Sequence, residues 1–434
     1  MKKGDILAAY DNKIGIVYQP RKGKVKTTTP EHAKAIQEAL EQYFDNKLAE
    51  SDSRQLEEYI EKQFEGCEEL PVRSIPNLLE TDSLYRLEIM LANDCNLNCR
   101  YCYAKGGSYG QKAQHLKPET ALEYLEKLLV GTYRKIHVVM FFGGEPTLCP
   151  DTIEAVCDFF EKNTAKGIFQ NMPKFTMVSN ATLIDEKMAK IIAKYQIRVT
   201  VSVDGPQQVN DCLRIDRAGN GTYERIERGI QNLKEQGTAP AMIETTYTTL
   251  HEQMGYTRDE VRNFLCSEFG VEKVLVADCG HGGDESLVIQ SGRDICDSDQ
   301  FSDGKIKFAS RLSKKYFLDI TCSAGTESFI LLPNGDIFPC HFFVGHKGYQ
   351  IACYKDGQFD FTKYSEVLEQ LQKAHKLQNE KCSECWAKEL CRACPVSMLL
   401  HENWDSTSCH AERQWQEKIV LDYAGSHSAS SVQE

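Results

Sequence analysis

Tyr85-Arg-Leu-Glu-Ile-Met-Leu91-Ala-Asn-Asp-Cys95-Asn-Leu-Asn-Cys99-Arg-Tyr-Cys102-Tyr103 sets an apolar run directly before three closely spaced thiols. The run Tyr85–Leu91 has the length and composition of a buried strand. The cysteines that follow are spaced C-x3-C-x2-C on the loop after it. Three thiolates on so short a loop can hold three corners of a cubane [4Fe–4S] cluster, which leaves the fourth iron open and reactive. A zinc site completed by a remote ligand, or three unrelated reduced thiols, are the other readings of the trio.

Outward from this stretch the pattern is regular. Short apolar runs recur at Tyr85–Leu91, Ile136–Phe142, Lys174–Ser179, Arg198–Val203, Met242–Tyr247 and Lys273–Ala277. Helical stretches lie between them, such as Thr120–Val130, Glu186–Tyr195 and Tyr223–Gln236, with apolar residues at helical spacing. Six βα units predict an α/β fold with a parallel sheet, open or curled into a partial (β/α)6 barrel, over residues 83–280. Chemistry in such sheets sits at the carboxyl ends of the strands.

The chain has 434 residues with 51 basic and 63 acidic side chains, a net charge of −12 that argues against nucleic acid or an anionic membrane as partner. No run approaches the ~18 apolar residues of a membrane span, and the expected location is cytoplasmic. Eighteen cysteines are many for a reducing compartment, so metal ligation is expected of most of them. Cys67, Cys149, Cys157, Cys212 and Cys266 read as ordinary thiols, Cys157 and Cys266 on apolar helix faces.

Each strand is followed by a polar cluster. Phe142-Gly143-Gly144-Glu145-Pro146-Thr147 combines glycines, which permit close backbone approach, with a carboxylate suited to an ammonium. Ser179-Asn180-Ala181-Thr182 follows the third strand, and Ser202-Val203-Asp204-Gly205-Pro206 the fourth, with Arg214 beyond, a bidentate partner for a carboxylate. With Cys95, Cys99, Tyr101 and Cys102, this ordered series resembles the radical S-adenosylmethionine (SAM) enzymes. The resemblance implies a catalytic cluster on Cys95, Cys99 and Cys102, with SAM held on its open iron. It implies SAM contacts from Tyr101, Gly143, Gly144, Glu145, Ser179, Asn180, Ser202, Asp204 and Arg214.

Seven further cysteines close the chain: Cys322, Cys340, then Cys382-x2-Cys385-x5-Cys391-x2-Cys394, and Cys409. Paired C-x2-C units are also the mark of zinc ribbons. Their order resembles the SPASM extension of peptide-modifying radical SAM enzymes, except that the last interval is two residues rather than three. The resemblance implies two auxiliary [4Fe–4S] clusters, hence three in all. Cys382, Cys385, Cys391 and Cys409 would close one. Cys322, Cys340 and Cys394 would hold three irons of the other, its fourth iron open or bound by Cys279, Cys296 or Cys353.

The first 82 residues read as a β-hairpin (Ile14–Tyr18 and Lys24–Thr28) followed by two amphipathic helices. They resemble the winged-helix-like leader-recognition elements of some maturases, or else form a cap on the main domain. A bridge at 281–321, a SPASM-like domain at 322–424 and an unstructured tail at 425–434 complete the expected layout. The resemblance implies a maturase that forms cysteine thioether cross-links in a ribosomal Cys-rich precursor peptide, of the sactipeptide or ranthipeptide type. A flavodoxin or ferredoxin would donate electrons. Formylglycine formation as in anaerobic sulfatase maturation, peptide carbon–carbon cross-linking, and a non-catalytic zinc or iron–sulfur protein are the alternatives. In sulfatase maturases an Asp follows the second SPASM cysteine; here the residue is His341.

Overall fold

Apolar residues at the start of the chain build a small sheet whose first two strands are buried on both faces. A computed structural model describes residues 1–73, 76–280, 283–289, 298–320, 322–400 and 406–428. They form two units, one of residues 1–75, 291–322 and 370–434, the other of residues 76–290 and 323–369.

In the first unit, β1 (Leu7–Tyr10), β2 (Gly15–Gln19) and β3 (Lys24–Thr28) make an antiparallel sheet in that order. They precede α1 (Pro30–Phe44), which is capped by the Thr29 hydroxyl and begins on Pro30, and α2 (Glu50–Gln63). Successive side chains alternate in direction. Ile6, Ala8 and Val17 therefore pack on Ile36 and Leu40 of α1, on Ile60 of α2 and on Phe64 at its end. Leu7, Ala9, Ile16 and Tyr18 point the other way, onto Phe308, Ile419, Val420 and Ala424. Those partners lie on two later helices, Ser298–Leu312 and Ser406–Ser428. The strand β1 was not apparent in the sequence, and the expected separate module proves to share its core with C-terminal helices of the same unit.

The second unit carries the predicted parallel sheet. Its chain runs β4 (Ser83–Ala92), α3 (Pro118–Leu129), β5 (Lys135–Gly143), α4 (Pro150–Ala165), β6 (Lys174–Ser179), α5 (Glu186–Lys194), β7 (Arg198–Ser202), α6 (Gln207–Leu213) and α7 (Tyr223–Glu235). It continues through β8 (Met242–Tyr247), α8 (Thr249–Gln253), α9 (Arg258–Phe269) and β9 (Val274–Asp278). All six expected strands are present and pair in sequence order with parallel register. The sheet is larger than expected, with eight strands. After α10 (Ser298–Leu312), a helix within the expected bridge, β10 (Ser328–Leu331) adds parallel to β4 and β11 (Ile337–Phe338) antiparallel to β10.

A hairpin of β12 (Cys353–Lys355) and β13 (Gln358–Asp360) follows, then α11 (Tyr364–Gln372), α12 (Glu380–Ser383), α13 (Pro395–Leu400) and α14 (Ser406–Ser428). The tail expected to be unstructured from Gly425 instead stays helical to Ser428, because Leu421 and Ala424 anchor the last turns of α14 in the core. Residues 429–434 lie outside the described residues.

One face of the parallel sheet is covered by helices: Phe141 stacks on Phe175, which meets Phe160 of α4. Met140 and its register partner Glu88 therefore point to the opposite face, as do Phe142 and the paired Ser202 and Glu244. Among the described residues, no helix is long and apolar enough to cross a membrane.

Candidate active site

The loop after β4 carries the thiol trio and is braced from three sides. Asn98 N–H donates to Ile215 O (2.8 Å), Arg100 N–H to Leu213 O (3.0 Å) and Cys102 N–H to Cys99 O (3.1 Å). Leu97 N–H and the Asn180 amide donate to Cys95 Sγ at 3.4 and 3.8 Å. Arg217 reaches the Asp94 carboxylate and the Cys95 carbonyl (2.6 Å).

The double glycine lets the β5 loop lie flat against this loop. Gly144 N–H donates to Ala92 O (2.8 Å) and Glu145 N–H to Asp94 O (3.0 Å). A Cβ on Gly143, whose φ is +138°, would strike the Ala92 carbonyl, and one on Gly144 would strike that of Asp94.

Glu145 was expected to face a ligand ammonium. It is instead 1% exposed, with both oxygens spent on neighbours. Oε1 accepts from Thr147 N (3.1 Å), Thr147 Oγ1 (2.6 Å) and Ser179 Oγ (2.8 Å), and Oε2 from Asn180 N (2.7 Å). Burial pushes its carboxyl up while these donors pull it down, with a net rise. Glu145 thus clamps the end of β5 to the end of β6. The Asn180 amide also donates to Asn96 Oδ1 (3.0 Å), whose own amide donates to Thr182 Oγ1 (2.8 Å).

A second polar knot forms at the end of β7. Asp204, fully buried, accepts from Tyr101 OH (2.5 Å) and Thr246 N (3.0 Å) and pairs with Arg214 Nε at 2.9 Å. The Arg214 guanidinium lies 5.6 Å from the Tyr101 ring centre. Burial works against its charge, but Asp204 more than restores it, so Arg214 stays cationic. The expected carboxylate partner for SAM is therefore already paired within the chain. Ser202 stands half-buried on β7, opposite Glu244. His251, missed in the sequence because it is a buried residue on a short helix, receives Thr248 N–H at Nδ1 (3.1 Å). Its Nε2 then carries the proton toward Asp204 O (2.7 Å).

His341 and Glu88 form a further pair that sequence spacing did not show. His341 Nδ1 lies 3.1 Å from Glu88 Oε2, and its ring sits 4.5 Å from Phe142 and 4.3 Å from Phe342. Glu88 is 1% exposed and also meets Arg86 at 3.0 Å. Burial raises the Glu88 carboxyl, yet His341 and Arg86 together hold it below the ordinary range.

The three thiols influence one another. Burial, then Glu145, pushes the Cys95 thiol up to about 12, with Cys99 and Cys102 adding to the rise. Burial pushes Cys99 up to about 11 against the pull of Arg214. The Cys95 and Cys99 thiols thus hold their protons tightly, and a metal that binds these two sulfurs must displace those protons.

In the first unit a cavity of about 1150 Å3 is lined by Cys382, Cys385, Cys391, Cys394 and Cys409, together with Lys376, Leu40 and Phe44. Burial pushes the Cys382 thiol up to about 11, and Cys391, Cys385 and Cys409 are near enough to raise it further. These four are the residues expected to share a cluster. A cubane binds one thiolate at each iron, so four mutually close thiols around an open volume suit it. Among the described residues, no three His, Cys, Asp or Glu side chains converge on a single-ion site.

Cys322 belongs to this unit and Cys340 to the other. Of the candidates to complete their set, Cys279 is buried among Val209, Leu213 and Leu287, Cys353 is half-buried on β12, and Cys296 lies outside the described residues. Cys149 is buried with its thiol toward Leu91 O (3.4 Å), and Cys157 is fully buried, as ordinary core thiols are.

Residues 89–265 match the model of the radical SAM superfamily, so the chain carries a radical SAM domain. It is similar to the radical SAM cyclopropyl synthase TigE of Paramaledivibacter caminithermalis, 25% identical over 228 residues, which are 49% of this chain and 46% of that protein. The chain thus spans about half the length of that relative. It is 24% identical over 327 residues to a cysteine-type anaerobic sulfatase-maturating enzyme of Clostridium perfringens, covering 69% of this chain and 85% of the enzyme.

Two solved structures share the fold. Native anSMEcpe with bound AdoMet aligns at a TM-score of 0.56 and 18% identity over 79% of this chain and 99% of that one. Streptococcus suis SuiB bound to S-adenosylmethionine aligns at 0.52 and 16% over 94% and 99%.

Proposed function

We propose that the protein is a radical SAM peptide maturase that closes cysteine thioether cross-links in a ribosomal precursor peptide. The observation that carries the proposal is the thiol trio on the β4 loop, held by the β5, β6 and β7 loops in the order expected of a SAM site. When bound, the clusters and SAM supply one-electron chemistry: an electron to break a SAM carbon–sulfur bond, a 5′-deoxyadenosyl radical to take a hydrogen atom from the peptide, and a sink for the electron released as the thioether closes.

In this proposal Cys95, Cys99 and Cys102 hold three irons of the first cluster. Gly143 and Gly144 expose backbone to SAM, and Glu145 acts through Ser179 and Asn180 rather than by direct contact. Asp204 and Arg214 fix Tyr101 beside the trio. Ser202, with Glu244 across from it, lines the sheet face where substrate would lie. Cys382, Cys385, Cys391 and Cys409 hold one auxiliary cluster, and Cys322, Cys340 and Cys394 contribute to another. The edge strand β3, with Lys24 and Lys26 exposed, offers free backbone for an added leader strand. Two structural neighbours have been solved with peptides: SuiB with precursor peptide SuiA, and anSMEcpe with Cp18Cys peptide.

Formylglycine formation is the second reading, favoured by the length of the match to the sulfatase-maturating enzyme. Co-expression with a Cys-rich precursor separates the two. A thioether removes two hydrogens and one alkylatable thiol while the sulfur stays in the peptide, whereas formylglycine formation expels the sulfur. A precursor that keeps every alkylatable thiol and its original mass refutes both.

A further inference from the structure

Lys376 is 2% exposed, and its ammonium donates to the Cys391 carbonyl at 2.7 Å. It lines the cavity that Cys382, Cys385, Cys391 and Cys409 share. Burial pulls the Lys376 ammonium below its ordinary range; Cys391, Cys382 and Glu412 favour its charge and Arg311 opposes it, and Asp319 and Glu389 also feel it. Glu412 and Arg311 each have a counter-charge of their own. Glu412 binds Arg392 at 3.2 Å and Gln416 at 2.9 Å. Arg311 faces Glu389. On the flanking backbone, Asp319 pairs with His375 at 3.2 Å, and the buried Lys388 pairs with Asp5 at 2.8 Å. Among the described residues Lys376 forms no ion pair with a carboxylate. A buried ammonium with no carboxylate at contact distance is costly, and the cysteine sulfurs that share its cavity become anions beside it once a metal displaces their protons.

We infer that Lys376 is a positioning residue whose fixed charge offsets the thiolates of the auxiliary cluster on Cys382, Cys385, Cys391 and Cys409 and raises that cluster's reduction potential. The inference rests on the auxiliary-cluster part of the proposed function. Four thiolates make a cubane site net negative, and reduction adds one more charge without adding a counter-ion. A cation fixed at the rim of the cavity therefore stabilises the reduced form more than the oxidised one. The hydrogen bond to Cys391 O holds the ammonium in place on the ligand loop itself.

The test uses the full chain with Cys95, Cys99 and Cys102 all replaced by Ala, reconstituted anaerobically, so that iron on the catalytic trio contributes no signal. Iron content and an EPR-monitored redox titration are read for this protein and for its Lys376→Gln and Lys376→Arg forms. The expected result is unchanged iron in all three, a midpoint displaced to more negative potential in Lys376→Gln, and a midpoint near the parent's in Lys376→Arg. Loss of iron in Lys376→Gln with retention in Lys376→Arg also supports a requirement for the charge. Equal midpoints in the parent and Lys376→Gln overturn the inference, as does loss of iron from both variants. A parent protein that holds no EPR-active iron refutes the auxiliary-cluster reading itself, a result distinct from iron present with unmoved midpoints.

Discussion

Replacing Glu145 by Gln separates a structural clamp from a ligand contact. The carboxylate accepts hydrogen bonds at both oxygens, including Thr147 N–H at one and Asn180 N–H at the other. A glutamine amide has one acceptor and one donor end, so either orientation points an NH2 at a buried backbone N–H. One donor then loses its acceptor, at about 1–3 kcal/mol, and the surviving bonds lose their charge assistance. Glu145→Gln is therefore expected to destabilise the protein by ~2–4 kcal/mol, seen as a lower urea midpoint at unchanged slope. The Asn180 amide, which the clamp holds near Cys95, would be displaced as well, so SAM affinity should fall along with stability. A variant that unfolds with the wild-type midpoint yet binds SAM weakly refutes the clamp and restores Glu145 as a direct ligand.

Three other outcomes are expected. Gly144→Ala forces a Cβ into the Asp94 carbonyl and should spread the two loops, lowering iron on the trio while auxiliary iron is retained; metal analysis of the reconstituted protein checks this. Tyr18→Ala opens a hole between the N-terminal sheet and Phe308, 5.6 Å away ring to ring, and should cost ~3–5 kcal/mol by denaturant titration. Burial pushes the Glu389 carboxyl up to about 7, only partly offset by Arg311. The folded state therefore holds a proton that the unfolded state has released near pH ~4.3, and stability falls as pH rises from there through 7. Glu389→Gln removes that fall, so the variant should gain on the wild type between pH 5 and pH 8 in thermal melts.

The parallel sheet was legible because each strand is a short apolar run that stops at a polar motif. Strands β10 and β11 were not, since Ser328–Leu331 and Ile337–Phe338 are brief and flank a Pro-Asn-Gly turn that dominates the local pattern. Strand β1 escaped because Leu7, Ala8 and Ala9 are buried in succession, on both faces, which erases the alternation that marks a half-exposed strand. The trio and the loops around it were readable as residues, but not their partners. Glu145 binds groups 34 and 35 positions away, and Asp204 meets Tyr101 across 103. His341 and Glu88 are separated by 253, a contact that only the added strands β10 and β11 create.

The N-terminal sheet lies between helices α1 and α2 on one side and α10 and α14 on the other. During synthesis, Leu7, Ile16 and Tyr18 leave the ribosome long before Ile419 and Val420 exist to cover them. That apolar face stays wet, or shielded by a chaperone, while the whole parallel sheet is being translated. Cutting the chain after residue 82 would not free an independent module, because it would strip one wall from the core that α14 completes.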